Sequence, residues 1–147
     1  MLDAVQASDE STQMLLEDRT CLVTGGSRGI GRGIAEELGA HGANVVVNYR
    51  SSEDEAYAVR DEINDGPGDA VVAQADVSDF DEVQAMYEAI GAEYGGVDVL
   101  VNNAGITVDT KFDEMSKEDW ERVIDVNLGG VFNCTKVCFD DLREAEE

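Results

Sequence analysis

From Thr20 onward the hydrophobic positions come in short solid runs, separated by stretches in which apolar residues recur every three or four places. Cys21–Thr24, Asn44–Tyr49, Ala70–Ala75 and Val97–Val101 are the runs. Solid rather than alternating runs are what strands show when both faces are covered. The intervening stretches read as helices. One spans Ile30–His41 and is closed by Gly42. A second, capped by Ser51 or Ser52, runs to Asn64 and stops before Asp65-Gly66-Pro67-Gly68. A third, capped by Ser78, runs to about Tyr94, where Gly95-Gly96 breaks it. After a connector through Lys111, Ser116 or Lys117 opens a long helix through Trp120, Val123, Ile124, Val126, Val131, Phe132 and Val137 to Arg143. Strand and helix in strict succession predict an α/β fold, a doubly wound parallel sheet with right-handed crossovers.

Residues 1–18 lack this periodicity and read as a loose acidic tail, which leaves 19–147 as the domain. Met14, just ahead of the first strand, is a candidate alternative start. A length of 147 residues with 43% hydrophobic content suits one globular domain. The charge changes the picture more. Thirty-three acidic residues against ten basic ones give a formal net charge of −23, spread along the whole chain, including helix faces such as Glu53-Asp54-Glu55 and Asp79, Asp81, Glu82. Such a surface repels nucleic acid and suits high salt, where screening weakens its self-repulsion; an acidic protein with solvated helix faces is the plainer alternative. Cys21, Cys134 and Cys138 form no metal-ligand spacing, so no metal is expected and reduced thiols are. No signal peptide or transmembrane stretch is legible, and the expected location is the cytoplasm.

Candidate chemistry starts at Thr24-Gly25-Gly26-Ser27-Arg28-Gly29-Ile30-Gly31, a glycine-rich turn that joins the first strand to the first helix. Glycines 25, 29 and 31 allow a sharp turn, close approach of a pyrophosphate, and packing of the helix on the sheet. The pyrophosphate would meet the unpaired N–H groups of the helix N-terminus. The position between strand and helix makes this a dinucleotide site rather than an ordinary turn. An NAD-preferring site carries an acid at the end of the second strand, about 20 residues past the glycines. Here Tyr49 and Arg50 stand there. With no carboxylate to repel a 2′-phosphate, and Arg50 and Arg28 able to pair with it, NADP(H) is favoured. Asp76 closes the third strand on the same edge, where it can accept a bond from the adenine amino group while Val77 packs on the ring. Asn102 and Asn103 close the fourth strand on that edge as well.

Taken together, these motifs resemble the N-terminal part of a short-chain dehydrogenase/reductase over about Leu16 to Glu144. The glycine motif, Asp76-Val77, and Asn102-Asn103-Ala104-Gly105 match the family in order and register. The wording of Thr24–Arg50 and of Gly105-Ile106-Thr107 is most similar to the 3-oxoacyl-(acyl carrier protein) and acetoacetyl-CoA reductases. The resemblance implies a Rossmann-like domain with NADP(H) as cofactor and an acyl thioester as substrate. It also implies that Asn103, Ala104 and Gly105 lie on the nicotinamide side. Asn127, in Asp125-Val126-Asn127-Leu128, matches the Asn of the family's catalytic tetrad, which bends the helix and holds a proton-relay water. In the family the long helix packs on a partner subunit, so a homo-oligomer or pairing through residues 117–145 is expected.

The family completes its site with a Ser and a Tyr-x-x-x-Lys pair. Tyrosines occur here at 49, 57, 87 and 94, and the residues four places on are Glu53, Asp61, Gly91 and Asp98. The alkoxide left by hydride transfer needs a proton donor, and an amide such as Asn127 does not supply one near neutral pH. The expectation is therefore a domain broken off after its fourth strand and long helix, which binds cofactor without catalysing. The rival from another class is a non-catalytic nucleotide-binding or interaction module that docks on a full-length relative.

Overall fold

The computed structural model describes residues 14–145. Four strands form one parallel sheet: β1 (Thr20–Val23), β2 (Asn44–Tyr49), β3 (Asp69–Gln74) and β4 (Val99–Val101), in the order β3-β2-β1-β4. Helices α1 (Gly29–Ala40), α2 (Glu53–Asn64) and α3 (Phe80–Tyr94) make the crossovers. A short 3₁₀ turn at Phe112–Glu114 leads to α4 (Lys117–Ile124), a π-helical segment (Asp125–Gly129) and α5 (Gly130–Glu144). The doubly wound parallel α/β fold is thus present.

Side chains of the two central strands divide between the faces. Cys21, Val23, Val45 and Val47 point into one layer with Ala35, Val59 and Ile63. Leu22 and Val46 point into the other, with Val83, Met86, Ile90, Val126, Cys134 and Cys138. Val45, Val46 and Val47 are all fully buried. Each contributes on the order of 1.5–3 kcal/mol by leaving water. This two-sided burial is why β1 and β2 read as solid apolar runs, whereas β3 and β4, at the edges of the sheet, are only partly covered.

Several boundaries move for identifiable reasons. Of the tail expected at 1–18, residues 1–13 lie outside the described residues, whereas Met14–Asp18 form a turn. Leu16 packs against the core, and its N–H donates to the His41 carbonyl at 3.0 Å. Ser52 occupies the cap position of α2 without a side-chain cap bond. Helix α3 is capped by Asp79, which accepts from the Glu82 N–H at 3.1 Å, and not by Ser78. The Ser78 hydroxyl is engaged elsewhere, as described below. Gly95 ends α3 at φ +88°, the left-handed conformation expected of a glycine stop. Ser116 caps α4 through the Asp119 N–H. The long helix is one continuous element, with the π segment shifting its faces at Asn127.

Helix α5 is tied back by Asp141. Its Oδ2 accepts from the Tyr87 hydroxyl at 2.7 Å and from the Val97 N–H at 3.1 Å. The bond to Asp141, with burial second, pushes the Tyr87 phenol up to about 12. The folded chain therefore keeps a proton that the unfolded chain loses near 10.0, the ordinary value. This contribution is complete below pH 10 and is lost as pH rises toward 12. Melting temperature is expected to fall across that interval, with a flatter slope in Asp141→Asn; equal slopes in alkaline melts of the two proteins would refute the tie.

Candidate nucleotide-binding site

The glycine turn is locked from both sides. Gly25 and Gly29 take φ +61° and +59°, which L side chains rarely adopt. The Gly25 N–H donates to Asn48 Oδ1 at 3.1 Å, and the Gly26 N–H donates to the Asn48 carbonyl at 2.9 Å. Asn48 Nδ2 in turn donates to the carbonyls of Ala73 (3.1 Å) and Ala75 (3.3 Å). One buried amide thus joins the turn, β2 and the end of β3. On the opposite side, Asn103 Nδ2 donates to the Gly25 carbonyl at 3.0 Å. The Thr24 hydroxyl donates to the Val101 carbonyl and accepts from the N–H groups of Asn103 and Ala104, both at 3.0 Å.

Helix α1 begins directly after this turn, with Arg28 at the cap position in extended conformation and no side-chain cap bond. Its first turn holds no acid. The first turns of α2, α3 and α4 hold Glu53, Asp54 and Glu55, Asp81 and Glu82, and Glu118 and Asp119 respectively. In this acidic chain the N-terminus of α1 keeps its uncapped N–H groups and dipole for an incoming anion. A Cβ added at Gly29 would meet no atom within 4 Å and would stand in open space at the cleft wall. The turn therefore fits a pyrophosphate.

A cleft of about 410 Å³ opens above the turn. Of the candidate site residues read from the sequence, Gly25, Ser27, Arg28, Gly29, Tyr49, Arg50, Asp76, Val77, Asn103, Ala104 and Gly105 line it, and Ile30, Gly31, Asn102 and Asn127 do not. Ile30 is exposed beside it. Gly31 packs under the turn, where a Cβ would overlap the Gly25 carbonyl oxygen and the Asn103 amide. Asn48 and Arg122 also line the cleft. Arg28, Arg50 and Arg122 bring three of the chain's ten basic residues to one opening.

Asp76 is engaged by the protein itself. Its Oδ1 accepts from the Ser78 hydroxyl at 2.6 Å and the Ser78 N–H at 3.0 Å, and its Oδ2 accepts from Arg122 Nη2 at 3.3 Å. Arg122 Nη1 reaches the Ser78 hydroxyl at 3.0 Å, and Arg50 Nε stands 3.8 Å from Asp76 Oδ2. Burial works to raise the Asp76 carboxyl, but the two Ser78 bonds and Arg122 outweigh it and hold the group below the ordinary carboxylate range. Neither Asn48 nor Arg122 stands out in the sequence. The first looks like one more strand residue, the second like part of a solvated charged helix face.

Asn127 sits in the π segment, a helix irregularity frequent at functional sites. Its Oδ1 accepts from the Ile106 N–H at 2.8 Å, and its Nδ2 donates to the Ile106 carbonyl at 3.0 Å. The side chain thus clamps the loop after Gly105 as a neighbouring strand would. Asn102 Nδ2 donates to Thr135 Oγ1 at 3.3 Å on α5.

The remaining sequence features are structural here. Asn133 is buried and donates to the Val77 carbonyl at 2.9 Å. Cys21, Cys134 and Cys138 are free and buried, and burial pushes their thiols up to about 11, 11 and 12. Among the described residues no three His, Cys, Asp or Glu side chains gather as metal ligands. None of the described helices is long and apolar enough to cross a membrane.

A strand, a glycine turn and an uncapped helix, at the carboxyl edge of a doubly wound parallel sheet, form the arrangement of a dinucleotide-binding domain. The short chain dehydrogenase family model matches residues 19–147, and the chain belongs to that family. It is 51% identical over 116 residues to a 3-oxoacyl-[acyl-carrier-protein] reductase of Staphylococcus aureus, covering 79% of this chain and 47% of that one. It is 49% identical over 117 residues to 3beta-hydroxysteroid dehydrogenase 1 of Eggerthella lenta, covering 80% and 45%. A crystal structure of a short chain dehydrogenase from Burkholderia cenocepacia, in complex with NADP, superposes with a TM-score of 0.82 at 36% identity, covering 85% of this chain and 51% of that one. The chain spans about half the length of the curated relatives it matches.

Proposed function

We propose that this chain is the NADP(H)-binding part of a short-chain oxidoreductase that reduces 3-oxoacyl thioesters, carried on acyl carrier protein or coenzyme A, to 3-hydroxyacyl thioesters. The carrying observation is the set of three arginines around a cleft whose β2 end presents Tyr49 in place of an acid. The Gly25–Gly31 turn and the first turn of α1 would take the pyrophosphate, Arg28 and Arg50 the 2′-phosphate, and Asp76 and Val77 the adenine side. Asn103, Ala104 and Gly105 would flank the nicotinamide, which when bound supplies the hydride. Asn127, with its side chain committed to Ile106, would offer its main chain to a proton relay. Residues 1–147 hold no Tyr-x-x-x-Lys, so the chain by itself is expected to bind without turning over.

The S. aureus relative and the wording of the glycine motif support the acyl thioester. The E. lenta relative, at nearly the same identity, carries a steroid name, so the acyl thioester rests on the motif wording together with the S. aureus relative. The second reading, a module that docks on a relative or on a second copy through residues 117–145, is supported by the exposure of Val131, Phe132 and Phe139 on α5.

Titration of the 147-residue chain with NADPH and NADH, in molar KCl, tests the reading. Saturable binding that favours NADPH is expected, with a melting temperature higher in molar than in dilute KCl, because screening relieves the self-repulsion of −23 charges. Equal affinities, or no saturable binding, would remove the NADP(H) assignment. A melting temperature indifferent to salt would remove the high-salt surface.

A further inference from the structure

Tyr49 leaves the end of β2 without an acid, yet β3 returns one to the same place. Tyr49 pairs with Gln74, and Asp76 follows two residues later, with its Oδ2 3.8 Å from Arg50 Nε. Left alone, that carboxylate would hold Arg50 and repel a 2′-phosphate, as the acid of an NAD-type site does. It is not left alone. Arg122, reaching over from α4, bonds Asp76 Oδ2 at 3.3 Å and the Ser78 hydroxyl at 3.0 Å. Its side chain is 32% exposed, against 59% for Arg50. Arg122 is thus the fixed partner, with two anchors and the shorter distance, and Arg50 is the loose one.

We infer that Arg122 is a positioning residue that sets preference for a 2′-phosphorylated dinucleotide by neutralising Asp76, which frees Arg50 for the phosphate. With Arg122 present the Arg50–Asp76–Arg122 cluster carries one net positive charge, and without it none. A ligand lacking the 2′-phosphate, whose pyrophosphate would lie at the glycine turn, gains much less from that charge. The inference rests on the NADP(H) reading above.

The test compares NADPH and NADH dissociation constants, with melting curves, for the wild-type chain, Arg122→Gln, Asp76→Asn and the double variant. Arg122→Gln is expected to lower the NADPH preference about tenfold, the scale of one charge-assisted hydrogen bond, with NADPH affinity falling much more than NADH affinity. Removing the carboxylate as well is expected to restore the preference in the double variant, the mark of coupling through Asp76. Equal weakening of both ligands by Arg122→Gln, or a preference still low in the double variant, would overturn the inference, since a packing or direct role would give those results. Asp76→Asn alone needs no change at Arg122 and is expected to keep or raise the preference; a fall overturns the inference even where Arg122→Gln does not fold. A wild-type chain without NADPH preference instead overturns the proposed function, and this inference with it.

Discussion

Replacing Gly31 with alanine is expected to cost about 3–4 kcal/mol and to abolish saturable nucleotide binding, because overpacking and a lost hydrogen bond act together. The new methyl would have to displace the Gly25 carbonyl oxygen and the Asn103 amide, which are bonded to each other. Neither can yield cheaply. The first is backbone in a left-handed turn, and the second belongs to the segment held by the Thr24 hydroxyl. For a domain of this size the loss corresponds to a melting temperature lower by about 10 °C. Gly33→Ala, two residues on, is the control: a Cβ there meets nothing within 4 Å. It is expected to stabilise the helix by about 0.5–1 kcal/mol. If both variants melt and bind alike, the close approach at Gly31 is not what fixes the turn.

Replacing Asn48 with alanine is expected to cost about 3 kcal/mol, since it strands three partly or fully buried polar groups on two segments at once. The Gly25 N–H loses its acceptor, and the Ala73 and Ala75 carbonyls lose a donor. Nucleotide affinity should fall with stability, because the same amide holds the glycine turn. Asn48→Asp sharpens the test. It keeps the acceptor toward Gly25 but turns a negative charge on two carbonyls in a site only 2% exposed. It should be the worse substitution at neutral pH and recover as the carboxyl protonates in acid. Aspartate tolerated at neutral pH as well as asparagine would show that the donor half of the amide does no work.

These two sites also mark how far the sequence could be read. The glycine turn, the four strands and the carboxyl-edge position of Asp76 and Asn103 follow from local pattern, because spacing between a strand and a helix constrains them directly. Asn48 does not, since its task exists only once β2 lies between β1 and β3 and brings residues 23 and 25 positions away within reach. Arg122 is 46 positions from Asp76 and sits in a helix whose charged residues look like solvent cover. The exchange of Ser78 for Asp79 as the α3 cap follows from the same contact, because the serine hydroxyl is already occupied by Asp76 and Arg122. The π segment escapes a 3.6-residue pattern because the apolar positions on either side of it still recur in helical fashion. The closely spaced Gly129 and Gly130, with Val77 against Gly130, are the local trace of it.

The acid-free first turn of α1 also governs how a charged molecule travels toward the chain. At long range an anion meets the sum of all the charges and is turned away; at contact it meets the Arg28 and Arg50 guanidiniums and an uncapped helix end. The two regimes have different reach. At physiological ionic strength the field of the whole surface fades beyond about 8 Å, while partly buried groups are screened far less. Added salt therefore lowers the long-range barrier first, and nucleotide association is expected to quicken as ionic strength rises from dilute buffer.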